Sequence, residues 1–314
     1  MIKSHVFLTG ATGCVGHYVL NRLLKSPQWH VHILVRDRGK LRLPDGFSAQ
    51  LSIHDGNLNS IEALQDIVPR MDYVVHLATD WSDSDEAFRL NVEKTVSLFN
   101  MCHNDRCKKV LYFSTASILG RDNAPLEQAE KIGTGYIRSK FTAYRLIKAL
   151  PIRHKLITLF PTLVFGGDAH HPYSHVSAGI LPNQHFLKIL RFFYLDGKFH
   201  WIHAKDIAVI VEHLLTHPEV SGDFVLGQPA ISVRDAIQVL CELFQVPLRV
   251  RIRLSSQWLV RLAGLCRIQL SSWDLFCIKR SNFLHDTVTP ESFGKNTFYR
   301  SLKGLLQELK IQHS

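Results

Sequence analysis

The sequence predicts an α/β fold, a doubly wound parallel sheet with a smaller C-terminal lobe, and three observations carry this. Short β-rich runs alternate with helical patterns over the first 165 residues; the first run breaks into glycines and then into a helix; the texture changes after Gly167. Strands are expected at 5–8, 31–35, 49–54, 73–77, 110–113 and 155–160, with helices around 17–25, 60–68, 85–103 and 136–149. That order implies right-handed crossovers, a parallel sheet and helices on both of its faces. Residues 167–200, rich in His, Pro and aromatics, read as an inserted segment. A helix at 207–215 and a strand at 223–226 are expected to rejoin the main sheet, and helical and irregular segments follow from Pro229. The expected division is therefore 1–166 with 201–227 as the main domain, and 167–200 with 228–314 as a substrate lobe.

The first strand, Val6-Phe7-Leu8, runs directly into Thr9-Gly10-Ala11-Thr12-Gly13-Cys14-Val15-Gly16, and Tyr18, Val19, Leu20, Leu23 and Leu24 then repeat at helical spacing. A strand, glycine turn and helix in succession form a site for a dinucleotide pyrophosphate. Gly10 permits the tight turn, Gly13 lets backbone approach the phosphates, and Gly16 lets the helix pack close. The free N–H groups of the helix face the anion.

At 314 residues, with 46% hydrophobic and 20% charged, the chain has the composition of a globular protein. The first strand begins too near Met1 for a signal or transit peptide, and no apolar run reaches the length of a membrane span. Six cysteines (Cys14, Cys102, Cys107, Cys241, Cys266, Cys277) are scattered without a framework, which suits a reducing cytosol. Cys102-His103 with Cys107 lacks a second ligand pair and reads as buried cysteine on a helix. The net charge of +10 is spread along the chain without a nucleic-acid-binding signature, so the charge is expected to serve acidic cofactor groups and an anionic surface. His170, His171 and His175 read as part of a polar loop rather than as a metal site.

Tyr136 and Lys140 stand four residues apart on one helix face. A neighbouring cation favours phenolate, which would bring the tyrosine toward a usable general acid or base. Tyr144/Lys148, Tyr194/Lys198 and Tyr299/Lys303 share the spacing but not the context, and read as surface pairs. Only Tyr136 begins its helix, precedes Ser139-Lys140 and Ala143, and follows a strand ending in Ser114-Thr115.

These residues resemble an extended short-chain dehydrogenase/reductase, of the NAD-dependent epimerase/dehydratase group, over roughly residues 5–230. Gly10, Gly13 and Gly16 fall on that family's TGxxGxxG. Gly56-Asn57-Leu58 is similar to its GDL segment, with Asn57 for Asp, and His76-Leu77-Ala78-Thr79 to its HxAA stretch. Asn91, Val92 and Thr95 follow NVxGT with Lys94 in place of glycine; Pro161 to Gly166 follows RPxxVYG with Phe160 in place of arginine. Trp201 to Ala208 is similar to the late VHVxDVA segment. The resemblance implies a Rossmann domain and catalytic roles for Thr115, Tyr136 and Lys140. It implies cofactor contacts from Thr9, Gly10, Thr12, Gly13, Cys14, Val15, Gly16, Arg36, Asn57, Leu58, Leu77, Ala78, Thr79, Asn91, Tyr136, Lys140, Pro161, Leu163 and Val164.

The cofactor is expected to be NADP(H) rather than NAD(H). An acidic residue about 20 positions past the glycines bonds a free ribose 2′-OH, whereas arginine accommodates a 2′-phosphate. Arg36 stands 20 residues after Gly16, with Arg38 and Lys40 following and Asp37 as the counter-argument. The leading function is reduction or oxidation of a carbonyl/alcohol pair on a small-molecule substrate, as in relatives of the dihydroflavonol-reductase and 3β-hydroxysteroid-dehydrogenase type. A nucleotide-sugar epimerase or dehydratase, and a non-catalytic NADP-binding scaffold subunit, are the alternatives. Phe192-Phe193-Tyr194 and Phe199-His200-Trp201 suit either a ring-shaped ligand or a packed lobe core.

Residues 248–283 mix Arg249, Arg251, Arg253, Arg261, Arg267, Lys279 and Arg280 with Trp258, Leu259, Leu262, Leu265, Ile268, Trp273, Phe276 and Phe283. Such a segment suits either peripheral contact with an anionic membrane or packing on the lobe. A cytoplasmic location and assembly as a homodimer are the remaining expectations.

Overall fold

A computed structural model describes residues 3–43, 48–180, 182–249, 252–265 and 269–311. The six expected strands form as β1 (Ser4–Thr9), β2 (Trp29–Val35), β3 (Leu51–Asp55), β4 (Tyr73–His76), β5 (Lys109–Phe113) and β6 (Leu156–Pro161). With Phe224–Leu226 and Thr287–Val288 they make one eight-stranded sheet, whose order is 287–288, 224–226, β6, β5, β4, β1, β2, β3. Every pairing in it is parallel. The strand at 224–226 joins the sheet as expected. The two-residue strand Thr287–Val288 extends it with residues from the segment read as lobe.

Both sheet faces are buried, as a parallel sheet requires. On one face Val6, Leu8, Val31 and Ile33 pack under the Cys14–Leu24 and Ala204–Thr216 helices through Leu20, Leu23, Ile207, Val211 and Leu214. On the other, Phe7, Val74, Val110 and Tyr112 meet Leu98, Phe99, Ala143 and Ile147.

Two helical expectations need correction. Residues 60–68 are not an α-helix: Leu58–Leu64 is 3₁₀, broken at Ser60 (φ −109°, ψ 31°). The Ser60 hydroxyl donates to the Asn57 carbonyl (3.2 Å), a local bond that competes with helical pairing, and Pro69 follows. The 85–103 helix is three pieces, Asp85–Arg89, a π turn Leu90–Lys94, and Thr95–Asn100.

The lobe residues make short helices (His175–Ile180, Leu187–Leu190, Val233–Leu243, Leu302–Ile311) and small strand pairs. Leu302, Leu305, Leu306 and Leu309 pack with Phe165, Trp201 and Tyr299 into a separate core. Residues 248–283 form Ile252–Leu254, Ser256–Leu265 and Ser272–Arg280 rather than one amphipathic helix. Arg251, Cys266, Arg267 and Ile268 lie outside the described residues, as does the side chain of Leu262. Cys14, Cys102, Cys107 and Cys277 are free thiols. Among the described residues no helix is long and apolar enough to cross a membrane.

Candidate active site

The sheet order reverses between β1 and β4, and ligands bind parallel α/β sheets in the crevice at such a switch point, beyond the strands' carboxyl ends. A cleft of about 1150 Å³ opens there. Thr9, Gly10, Thr12, Gly13, Cys14, Val15, Gly16, Arg36, Asn57, Leu58, Leu77, Ala78, Thr79, Thr115, Tyr136, Lys140, Pro161, Leu163 and Val164 all line it.

At the end of β1, Gly10 holds φ +75°, and a Cβ on it would stand 2.7 Å from the Ala78 backbone nitrogen. A Cβ on Gly16 would come within 2.0 Å of the Gly10 carbonyl oxygen, so the helix can lie this close to the strand only with glycine there. Gly13 meets no protein atom nearer than 3.4 Å. It caps the Cys14–Leu24 helix without a side-chain hydrogen bond, and the first turn carries no acidic residue. The first-turn N–H groups and the positive helix end are therefore left for an anionic ligand. The Cys14 thiol is pushed up to about 12, chiefly by burial, and is an inert wall.

Arg36 reaches the cleft from the end of β2. Asp37, the competing acid, turns its carboxylate to the Gly39 backbone N–H (2.9 Å) and caps its own turn. Arg38 is engaged by both oxygens of Asp55, each at 2.7 Å, and Lys94 by Glu62 at 2.8 and 2.9 Å. Neither Asp37, Arg38 nor Lys40 lines the cleft.

Thr134 caps the Gly135–Ile147 helix through the Ile137 N–H. This helix carries Tyr136 and Lys140 to the cleft, where Thr115 arrives from the end of β5. The spacing argument predicts a tyrosine pKa lowered by the lysine. The structure has the opposite: burial pushes the Tyr136 phenol well above its ordinary value, opposed by a hydrogen bond from Thr115. Lys140 is itself buried, its ammonium donating to the Phe113 carbonyl (2.9 Å) and lying 5.1 Å from the Tyr112 ring centre. Burial lowers Lys140 to about 7. The Ser114 hydroxyl, also lining the cleft, is buried with no partner among the described residues.

Asn91 does not line the cleft. Buried in the π turn, its amide accepts from the Asp80 N–H (2.9 Å) and Thr79 hydroxyl (3.0 Å), and donates to the Asp80 carbonyl (2.8 Å) and Ser139 hydroxyl (3.0 Å). It braces the 79–80 wall against the helix of Tyr136 and Lys140. His76 is a satisfied core histidine, bonded to Thr9 (2.7 Å) and Thr95 (2.9 Å).

The other Tyr/Lys pairs lie away from the cleft. Tyr144 and Lys148 both donate to Asp223 (2.9 and 2.7 Å). Tyr299, read as a surface residue, is instead buried in the lobe core. None of the rings at 192–194 and 199–201 reaches the cleft, and Trp201 belongs to the lobe core.

Sequence reasoning missed Trp81. Its indole is 59% exposed and stacks on Tyr136 with ring centres 4.1 Å apart, and His175 meets it edge-on at 5.6 Å. Only its position, three residues after Ala78 on the wall that follows β4, could have signalled this. Trp273, from the basic C-terminal segment, also lines the cleft.

The chain matches the NAD dependent epimerase/dehydratase family over residues 6–227. It is 25% identical over 275 residues to dihydroflavonol 4-reductase of Hordeum vulgare, covering 77% of this chain and 75% of the relative. It superposes on the terminal R domain from the myxalamid PKS-NRPS biosynthetic pathway with a TM-score of 0.72 at 16% identity, covering 99% of this chain and 90% of that one. On UDP-N-acetylglucosamine 4-epimerase from Methanobrevibacter ruminantium the TM-score is 0.67 at 17% identity, covering 99% and 97%. These two structures share the fold.

Proposed function

Because the chain belongs to the NAD-dependent epimerase/dehydratase family, whose members are NAD(P)-dependent enzymes, we propose that it is an NADP(H)-dependent oxidoreductase acting on a carbonyl/alcohol pair. The observation that carries this reading is the meeting of Thr115, Tyr136 and Lys140 in one cleft with an uncapped helix end and Arg36. The cleft's volume, its anion-receptive helix end and the unpartnered Ser114 hydroxyl fit a dinucleotide. When bound, the nicotinamide gives or takes the hydride.

The chain's own groups do the rest. Tyr136, whose burial keeps its proton on, gives that proton to the substrate oxygen in the reductive direction. The Thr115 hydroxyl holds the same oxygen. Lys140 would hold the nicotinamide ribose of a bound cofactor and, once charged, would ease proton loss from Tyr136. Asn91 is a positioning residue. Residues 167–200 and 228–314, apart from the Thr287–Val288 strand of the main sheet, form the substrate lobe, contributing His175 and Trp273 to the cleft. The free thiols fit a reducing cytosol. The exposed face of the Ser256–Leu265 helix makes peripheral contact with anionic membrane.

NADP(H) preference rests on Arg36 facing the cleft while Asp37 is spent on Gly39. Titrating the purified protein with NADPH and NADH tests it. NADPH should bind more tightly, by at least about tenfold, and Arg36→Ala should erase the difference. Tighter NADH binding would sink the preference. Net turnover of added NADPH with a carbonyl substrate separates the reductase from an epimerase, which returns its cofactor unchanged.

A further inference from the structure

On the oxidoreductase reading of the cleft, on which this rests, we propose that Trp81 determines specificity and that the substrate is an aryl carbonyl compound with no phosphate of its own. Trp81 lies on the loop after β4 and lines the cleft, yet it is 59% exposed. Tryptophan is on average a well-buried residue, and an indole left in water on a concave wall is apolar surface that a bound ring would cover. The Phe113, Tyr136 and Trp273 rings of the same cleft are buried, and Trp273 is already stacked on Phe276. Trp81 keeps area to offer.

The indole is held in position before any ligand arrives. It stacks on the Tyr136 ring with centres 4.1 Å and planes 20° apart, and the His175 ring meets it at 68° with centres 5.6 Å apart. Its backbone is pinned on both sides. The Asp80 N–H donates to Asn91 Oδ1 (2.9 Å), Asn91 Nδ2 donates to the Asp80 carbonyl (2.8 Å), and the Ser82 N–H donates to Asp80 Oδ1 (2.8 Å). An aromatic face fixed in this way loses little freedom on binding and favours an offset-stacked ring. Because the indole lies against the ring of the proton donor, a substrate whose oxygen meets Tyr136 and Thr115 brings its next atoms beside Trp81. That placement selects a planar ring joined to the carbonyl carbon.

Charge sets the other half of the class. Among the described residues, the lysine and arginine side chains on the cleft are Arg36 and Lys140, both engaged by the cofactor in the proposed function, and Asp80 adds a carboxylate. A substrate phosphate or diphosphate drawn out of water needs charge-assisted partners of its own, and no third such cation lines the described cleft. A neutral aryl carbonyl has no such need.

The test titrates full-length, NADPH-loaded protein calorimetrically with 2-naphthalenemethanol, with its saturated counterpart decahydro-2-naphthalenemethanol, and with UDP-glucose. The alcohols stand for reduced product and do not react with NADPH. A merely apolar wall would favour the saturated ring, whereas a stacking face favours the planar one. The planar alcohol should bind about 3–10-fold more tightly than the saturated one, with UDP-glucose weaker than either. Trp81→Phe should keep most of that preference, and Trp81→Leu, which retains bulk without a π face, should erase it. A cooperative melting transition checks that both variants are folded; if Trp81→Leu fails that check, Trp81→Ala replaces it. Tighter binding of the saturated ring or of UDP-glucose, or a preference retained in the folded Trp81→Leu variant, overturns the proposal. Turnover of 2-naphthaldehyde with NADPH is read separately. A Trp81-dependent preference without turnover would uphold aryl recognition and overturn the oxidoreductase reading, while turnover without that preference overturns the aryl-carbonyl proposal alone.

Discussion

Among the described residues Lys140 is a buried cation without a carboxylate partner, held by one carbonyl and the face of Tyr112. At a pKa of about 7 it is only part-charged in the free protein near neutrality. An anionic dinucleotide favours the charged form, so binding should raise that pKa and take up a proton. At pH 8, calorimetry in buffers of different ionisation enthalpy should show uptake of up to about one proton per NADPH, and none in Lys140→Met. Equal uptake in both would assign the proton elsewhere. The free protein gives the linkage sign directly. A lysine lowered from about 10.5 to about 7 costs most when fully charged, below pH 7, and its penalty fades as pH rises toward 10. Lys140→Met should therefore raise the melting temperature of the cofactor-free protein most at or below pH 7, with the gain shrinking at higher pH. Tyr136→Phe removes one hydroxyl from a stacked, buried ring, so fold and NADPH binding should survive while turnover drops about 10²–10⁴-fold. Full activity in that variant would remove Tyr136 from the chemistry.

At the scale of elements, legibility followed locality. Every main strand from β1 to β6 was visible because short β-branched runs between turns are a local pattern. The glycine turn was visible because each glycine answers a local steric demand. Gly16 and Gly13 separate these demands. Gly16→Ala puts a methyl 2.0 Å from a backbone oxygen and should destabilise by about 1–3 kcal/mol or more in thermal unfolding. Gly13→Ala meets nothing closer than 3.4 Å, so the fold should stand while NADPH binding weakens at least about tenfold. Equal loss of stability in the two variants would contradict the assignment. The π turn was not legible, since its evidence is tertiary: Asn91 reaches Asp80 and Ser139, and Thr95 reaches His76. Nor was the Thr287–Val288 strand, whose two residues carry no periodicity. Trp81 escaped for the same reason: a tryptophan in a loop declares nothing until Tyr136, from another helix, is placed beneath it.

Across the whole molecule, the C-terminal basic and aromatic segment divides its residues between two tasks that composition alone ran together. Trp273 is buried, stacks on Phe276 and lines the cleft, so this part of the segment is core. Arg280 donates to the Leu119 carbonyl (3.1 Å) and is likewise engaged. The exposed apolar residues sit earlier: Trp258 is 55% exposed and Leu265 79%, at opposite ends of the Ser256–Leu265 helix, with Arg261 5.5 Å from the Trp258 ring. An exposed indole beside a guanidinium, on a chain of net charge +10, is suited to the headgroup boundary of an anionic bilayer. The protein should sediment with anionic liposomes at low salt and be released at high salt, because the attraction is screened. Trp258→Ala should weaken sedimentation several-fold while leaving NADPH binding intact, since Trp258 does not line the cleft. A protein that stays in the supernatant at both ionic strengths would return this helix to the role of an ordinary solvent-facing element of the lobe.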